Sequence, residues 1–580
     1  MSRGTRPVRI ANCSGFFGDR LSAAREMIDP TLLDVSPIDV LTGDWLAELT
    51  MLILHRQRVR NPSLGYASTF LTQMEQVLGT CVDRGIKVVT NAGGLNPGGC
   101  AEQVRELADR LGISLQVAHI EGDSLMDRID GLRPQLDHLD TGAPLTADPV
   151  SANAYLGAWG IVDALRSGAD VVVCPRVTDA SVVVGPAAWW WDWATDDWDP
   201  LAGAVVAGHV IECGAQATGG NHSWFGDIAD LAAPPGFPIA EIDADGTTVV
   251  TKHPGTGGLV DVGTVTSQLL YEIGAPQYLN PDVVSHFDTI ALDQQAPDRV
   301  RISGVRGTPP PPNTKVCINL DGGFRNRVTF VLTGLDQREK ATWAEAALFA
   351  RLGGRDRFDE VDVRLVEAPS DAIGQEAASG RLHVTVKSHD ERVVGRAFSS
   401  AAVELALANY PGFFVSSPPT DAQPYGVYWP AVVANDEVQA VVVGPDGTRR
   451  PVGATAVSAV PAPLGLDQTP TAVATGPASG EPLGSHFAAR SGDKGGNANV
   501  GIFARNAAGY AWLHRHLTVD ALRHLIPEAA DLEIRRHEFA NMHALNFVLV
   551  GYLGEGVASS TAFDPQAKGL GEYLRSRIWP

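Results

Sequence analysis

The stretch KVVTNAGGLNPGGCAEQVRELADRL (87–111) decides the fold. Lys87–Thr90 is a β-branched run and reads as a buried strand. Asn91–Gly99 is a glycine-rich loop. Ala101–Leu111 has helical periodicity and strong helix formers. A strand that turns through glycine into a helix is half of a β–α–β unit. The same rhythm runs outward from it. Upstream, Val8–Ala11 and Ile38–Leu41 read as strands, and Leu21–Ile28, Trp45–Arg58 and Phe70–Arg84 as helices. Downstream, Leu115–Ile120 is a strand, Ala154–Arg166 a helix and Asp170–Cys174 a buried-type strand. The predicted fold is α/β, with a mostly parallel sheet and helices on both faces. The ligand site of such a sheet lies at the carboxyl ends of its strands.

Four regions are expected. Residues 1–310 form the α/β domain with the ligand site. A Pro/Gly break, GVRGTPPPPN (304–313), introduces an α+β part over 311–443. There VTFVLTG and VDVRLVEA flank the helical stretch Lys340–Arg351, and LHVTVKSHD precedes a helix over Gly395–Asn409. Residues 444–482 are rich in Ala, Pro, Thr and Gly and read as a linker. Residues 483–580 form a small α+β domain.

Composition narrows the function classes. The 580 residues are 44% hydrophobic and 19% charged, enough for sizeable cores. The formal net charge of -22 argues against a nucleic-acid surface. It leaves room for an anionic ligand held in a local pocket. Six separated cysteines without a CxxC pair argue against a disulfide scaffold or zinc knuckle. The first twenty residues lack an apolar signal core, and no run of 18 apolar residues occurs. The expectation is a cytoplasmic protein without a membrane span.

Candidate chemistry gathers at predicted strand ends. Asn91, Gly93, Gly94 and Asn96 belong to a loop that opens a helix, which suits an anion seat; a tight strand–helix turn explains the same letters. Arg176, Thr178 and Asp179 follow the strand Asp170–Cys174. Arg176 there grips a carboxylate or pairs with Asp179, and Thr178 or Asp179 binds ligand or caps the next helix. Glu212 ends an apolar run, which would raise its pKa and suit proton transfer; Gln216 follows as a hydrogen-bond donor to an oxyanion. Cys213 reads as a small hydrophobe rather than a nucleophile. His253 opens a glycine-rich turn and is a reserve acid or base. Glu121 and Asp123 end another strand. If these two converge with Asp179 and Glu212, a divalent cation becomes an option, although no motif assigns a metal ligand. In the small domain Ser491, Asp493 and Lys494 lie in RSGDKGGN (490–497), which reads as an anion site, as a completion of the large domain's site in trans or in cis, or as a turn with an Asp–Lys surface pair. The tryptophans 189–191 and 193 suggest a subunit interface.

Several segments together resemble the acyclic terpene utilisation, AtuA-like, family. They are SGFFGDRLSAA (14–24), VVTNAGGLNPGGCAEQV (88–104), EGDSL (121–125), GADVVVCPRVTDASVVVGP (168–186), HVIECGAQATGGN (209–221) and HPGTGGLVDVGTVTSQLLYEIGAPQYLNPDVV (253–284). ARSGDKGGNANVGIFAR (489–505) resembles the family's small ferredoxin-fold domain, a separate chain in some relatives and fused here. The resemblance spans about residues 8–450 and 483–580. It implies breakdown of citronellol- or geraniol-type acids beside acyl-CoA carboxylases. It also implies lyase or hydratase chemistry on a branched acyl-CoA, with coenzyme A as part of the substrate and no separate cofactor. In that scheme Glu212, Asp179 and His253 move protons, and the other candidates hold the substrate. A homo-oligomer and a carboxylase partner are expected companions. The alternatives are a non-catalytic assembly partner of such a carboxylase and a metal-dependent hydrolase.

Overall fold

The computed structural model describes residues 3–453 and 458–580. Four residues of the expected linker, 454–457, lie outside the described residues. The chain divides into two compact units. One holds 1–319, 428–557 and 564–580; the other holds 320–427 and 558–563.

The first unit is built on a mixed sheet of eleven strands among the described residues. Its strands begin with β1 (Val8–Asn12), β2 (Val40–Gly43), β3 (Lys87–Thr90) and β4 (Val117–Glu121). Next in the chain come β5 (Pro149–Ala154), which lies outside this sheet, and β6 (Val171–Val173). β7 (Pro238–Ile242) and β8 (Thr248–Lys252) follow. At the centre, five strands run parallel in the order β1-β2-β3-β6-β4. This is the parallel block that the β–α rhythm predicts. Antiparallel strands extend it at both edges. β7 and β8 add beyond β1, and Val441–Val443 adds beyond β4.

Alternation along the central strands builds two cores. Ile10, Val40, Val89 and Val172 face one core, which includes Ile161, Val183 and Val206 from three helices. Ala11, Leu41, Val88 and Val171 face the other, with Phe70, Val77 and Val104 from two more. A strand buried on both faces needs apolar residues at every position, which explains KVVT and DVVVC. The helix Trp198–Ile211 is buried along most of its length, from Leu201 to Ile211. Its sequence therefore shows no amphipathic stripe.

Much of the tryptophan run is bound into the chain's own fold. Trp190 and Trp193 are buried. The indole N–H groups of Trp190, Trp191 and Trp193 donate to the carbonyls of Arg6, Ile242 and Ala244 at 3.0, 3.0 and 2.9 Å. The helix Ser181–Trp191 packs across the sheet, and these rings fasten its end to neighbouring backbone.

The small domain belongs to the same unit. Its antiparallel sheet has the order Phe487–Lys494, Asn497–Ala504, Ala544–Leu549, Ile534–Phe539. It docks on the end of the helix Val262–Leu269. The Asn499 amide donates to the Leu270 carbonyl at 2.7 Å, and the Asn546 amide to those of Ile273 and Gly274 at 3.1 and 2.9 Å. The segment 458–481 has no helix or strand, but the Tyr510 hydroxyl donates to the Gln468 carbonyl at 2.9 Å.

The second unit is an antiparallel sheet with its own core. Strands Glu360–Val366, Ser379–Ser388 and the end of Asn313–Thr333 pair side by side. The helices Gln337–Leu352 and Phe398–Glu404 cover it through Leu348 and Phe398, against Phe330 and Val384. Among the described residues no helix is long and apolar enough to cross a membrane.

Docking of the small domain leaves no room for a side chain at Gly501, where a Cβ would lie 2.6 Å from the Leu270 Cβ. Gly501→Val should lower stability by about 1–3 kcal/mol in urea unfolding. Gly131→Ala, in open space, should change it by less than about 0.5 kcal/mol. Equal effects would contradict this packing.

Candidate active site at the strand ends

The five parallel strands deliver five polar residues to one rim. β1 ends in Asn12; β2, β3, β4 and β6 lead to Asp44, Asn91, Asp123 and Arg176. All five are buried.

Arg176 is the hub. It is 2% exposed. Its Nη1 donates to the Leu46 carbonyl at 2.9 Å and lies 3.3 Å from Asp179 Oδ1. Its guanidinium stacks 4.2 Å from the Tyr155 ring centre. The Tyr155 hydroxyl donates to Glu48 at 2.8 Å, and Lys315 Nζ lies 3.7 Å from the same carboxylate. Asp123 accepts from the Asn153 amide at 2.7 Å and from the Arg176 N–H at 3.3 Å. Asp123 thus fixes the Arg176 backbone and does not pair with its charge.

Two asparagines set the acids in place. Asn91 donates through its amide to Asp44, and its Oδ1 accepts from the Trp45 N–H at 2.8 Å. Asn12 donates to the Glu212 carbonyl at 2.9 Å and to that of Ile211. This ties the end of the helix Trp198–Ile211 to the tip of β1. Gly208 lets that helix approach the 178–181 turn, since a Cβ there would lie 2.7 Å from the Ala180 Cα. Glu212 is 6% exposed, and its Oε2 has no hydrogen-bond partner among the described residues. His209 Nδ1 lies 3.2 Å from Glu212 Oε1.

The glycine loop forms a tight turn from β3 into the helix Pro97–Leu111. Asn96 caps the helix Pro97–Leu111 by accepting from the Gly99 N–H at 3.0 Å. Pro97 has no N–H to offer. Gly93 donates to the Cys174 carbonyl at 3.1 Å, and a Cβ there would lie 2.5 Å from that oxygen. Gly94 has φ +50°, and a Cβ would lie 2.3 Å from Leu54 Cδ1. These glycines serve close packing, and Asn96 occupies the helix end expected to seat an anion.

Other candidates separate from the rim. Glu121 is held by His119 Nε2 at 3.0 Å and Arg449 at 2.6 Å. His253 is buried, not solvated as a turn residue would be, and its Nε2 donates to the Met27 carbonyl at 3.0 Å. Thr178 spends its hydroxyl on Ser181 at 2.5 Å. Ser491 donates to the Lys568 carbonyl at 3.3 Å and accepts from the Gly571 N–H at 2.8 Å, so its hydroxyl ties the small domain together. Gln216 accepts from Arg490 through Oε1. Asp493 and Lys494 lie toward the rim, where Lys494 Nζ donates to the Glu272 carbonyl at 3.0 Å. Sequence reasoning missed Asn12, Asp44, Glu48, Tyr155, Glu272 and Lys315. Among the described residues no group of three or more His, Cys, Asp or Glu side chains is placed to hold a metal ion.

The family described as acyclic terpene utilisation family protein AtuA matches residues 8–443, and the AtuA ferredoxin-like domain matches 482–578. The chain belongs to the AtuA family. No curated protein matches it.

Electrostatics single out the acids of this AtuA-family rim. Burial pushes Glu212 well above the carboxylate range, and Asp179 and Glu272 push it further. Its place at a helix C-terminus acts in the same direction. Burial also raises Asp44, with Asp179 adding to it, and raises Asp179 against the pull of Arg176. Burial would raise Glu48 too, but Lys315 and Arg176 outweigh it and hold it at about 2. Burial lowers His209 to about 4, leaving a neutral imidazole beside Glu212. Burial and the neighbouring Glu212 keep Cys213 a thiol. The rim therefore combines carboxyls raised by burial with one held low by cations, the kind of divergence that can separate an acid from a base.

Asp493 offers a test of this field. Burial and Glu272 push it up to about 8. Unfolded, it titrates near about 3.9. The folded state binds the extra proton between these values, so stability falls as pH rises from about 4 to about 8. Asp493→Asn should raise Tm over wild type at the upper end of that window and lose the advantage at the lower end. A constant difference would contradict the raised pKa.

Proposed function

We propose that this chain is an acid–base enzyme of acyclic terpenoid acid breakdown, acting as a lyase or hydratase on a branched acyl-CoA or its free acid. Membership of the family ties it to acyclic terpene utilisation. The observation that carries the reaction class is Glu212. It is a buried carboxyl with a free Oε2, raised by burial and by Asp179, on a rim governed by Arg176.

In this reading Asp179, held by Arg176, is the base, and protonated Glu212 is the acid. Dehydration would move the α-proton to Asp179. The electron pair forms the C=C bond as the C–O bond breaks, and the Glu212 proton leaves with the hydroxyl as water. Retro-aldol cleavage would move the 3-hydroxyl proton to Asp179 and break the Cα–Cβ bond. Protonation of the resulting carbanion by Glu212 completes it. Both routes place negative charge on the carbonyl oxygen, so both need a cation or N–H donor there. The thioester favours both by stabilising that charge. The competing assembly role draws on the tryptophan run and the fused small domain; the indoles of Trp190, Trp191 and Trp193 bind the chain's own carbonyls, which weakens the first of these supports.

With a branched 3-hydroxyacyl-CoA, Glu212→Gln and Asp179→Asn should each lower kcat about 10²–10⁴-fold with little change in KM. Product analysis distinguishes loss of water from cleavage. Turnover of both variants near wild type would reject these roles.

A further inference from the structure

The hairpin RSGDKGGN (490–497) carries an unusual density of glycine, and each has a close neighbour. A Cβ on Gly492 would lie 2.4 Å from Tyr271 Cε2. Gly495 has φ +66°, with Tyr428 Cε1 3.0 Å from where its Cβ would sit. A Cβ on Gly496 would lie 2.2 Å from the Gly554 carbonyl oxygen. Lys494 pairs with Asn497 across this two-residue turn. Asn497 then anchors the turn, donating to Asp140 at 3.1 Å and accepting from the Gly551 N–H at 2.8 Å. A solvent turn needs none of these contacts. The Gly554 and Gly551 contacts brace the turn within the small domain, while Tyr271, Tyr428 and Asp140 set it against the rest of the unit, with Lys494 toward the rim through its bond to the Glu272 carbonyl.

Its neighbouring cations are engaged. Arg176 faces Asp179, Arg490 holds Gln216, and Lys315 lies 3.7 Å from Glu48. Lys568 donates to the Tyr271 hydroxyl and lies 3.8 Å from Glu272. Lys494 makes no ion pair within 4.0 Å among the described residues; its one hydrogen bond is to a backbone carbonyl. Its charge acts on the buried Glu212, whose Oε2 has no hydrogen-bond partner among the described residues.

We infer that the small domain completes the active site in the same chain, with Lys494 Nζ binding an oxyanion of the substrate. This rests on the acid–base reading above. Burial and repulsion from Lys315 lower the Lys494 pKa, and an anion bound there relieves that repulsion. The oxyanion has two sources: the carboxylate or thioester oxygen of the acyl group, or a phosphate of coenzyme A.

The test is calorimetry on the full chain with isovalerate, coenzyme A and isovaleryl-CoA, comparing wild type, Lys494→Met and Lys494→Arg. Lys494→Met should keep the wild-type Tm and bind about tenfold or more weakly. Lys494→Arg should recover most of that loss. Weakening of isovalerate and isovaleryl-CoA alone assigns the acyl oxygen. Weakening of coenzyme A assigns the phosphate. Unchanged affinity of Lys494→Met for all three would overturn the role of Lys494 and leave the acyl-CoA reading standing. If wild type binds none, that reading fails, and amine acetylation followed by peptide mass spectrometry decides for Lys494. Protection by millimolar inorganic phosphate would retain an oxyanion site, and no protection would remove it.

Discussion

A buried guanidinium is the constraint on which the rest of this molecule depends. Arg176 is 2% exposed at the tip of a central strand. An unpaired charge there would be costly enough to threaten the fold. The chain answers with groups from distant segments: the Leu46 carbonyl, Asp179, the Tyr155 ring and, behind it, Glu48. Asp123 and Asn153 fix the backbone that carries it. Segments of the α/β body are thus locked to one another at the end of the sheet where a ligand would enter.

That lock has a chemical by-product. Against its burial, Lys315 with help from Arg176 holds Glu48 ionised, while Asp44, Asp179 and Glu212 are buried and raised. Carboxyls that share too little positive charge cannot all ionise. Burial and mutual repulsion therefore raise Asp44, Asp179 and Glu212 together, without any special residue type. Asn12 and Gly208 matter for the same reason, because they set where the Glu212 end of its helix comes to rest.

The parallel block was legible because its signals are local. Lys87–Thr90, its turn and its helix occupy one continuous stretch, and the neighbouring strands repeat that pattern. Arg176, Asp179, Asp123 and Glu212 were visible because each directly follows an apolar run. Asp44 and Glu48 were hidden within DWLAELT, which reads as the start of an amphipathic helix. Lys315 and Tyr155 meet only through the fold: the Tyr155 N–H donates to the Lys315 carbonyl at 2.9 Å. Glycine left two readings open for a physical reason. A glycine kept for a ligand and one kept for a neighbouring side chain look alike in sequence, and Gly94 faces Leu54. His253 was ambiguous for a similar reason, since its partner is a backbone carbonyl in a distant helix.

The central claim is that Glu212 is protonated at neutral pH. Difference infrared spectroscopy of wild type against Glu212→Gln tests it most directly. A protonated-carboxyl C=O band present at pH 7 in wild type and absent from the variant is the result this account predicts. A wild-type spectrum showing only carboxylate bands for Glu212 at that pH would contradict it.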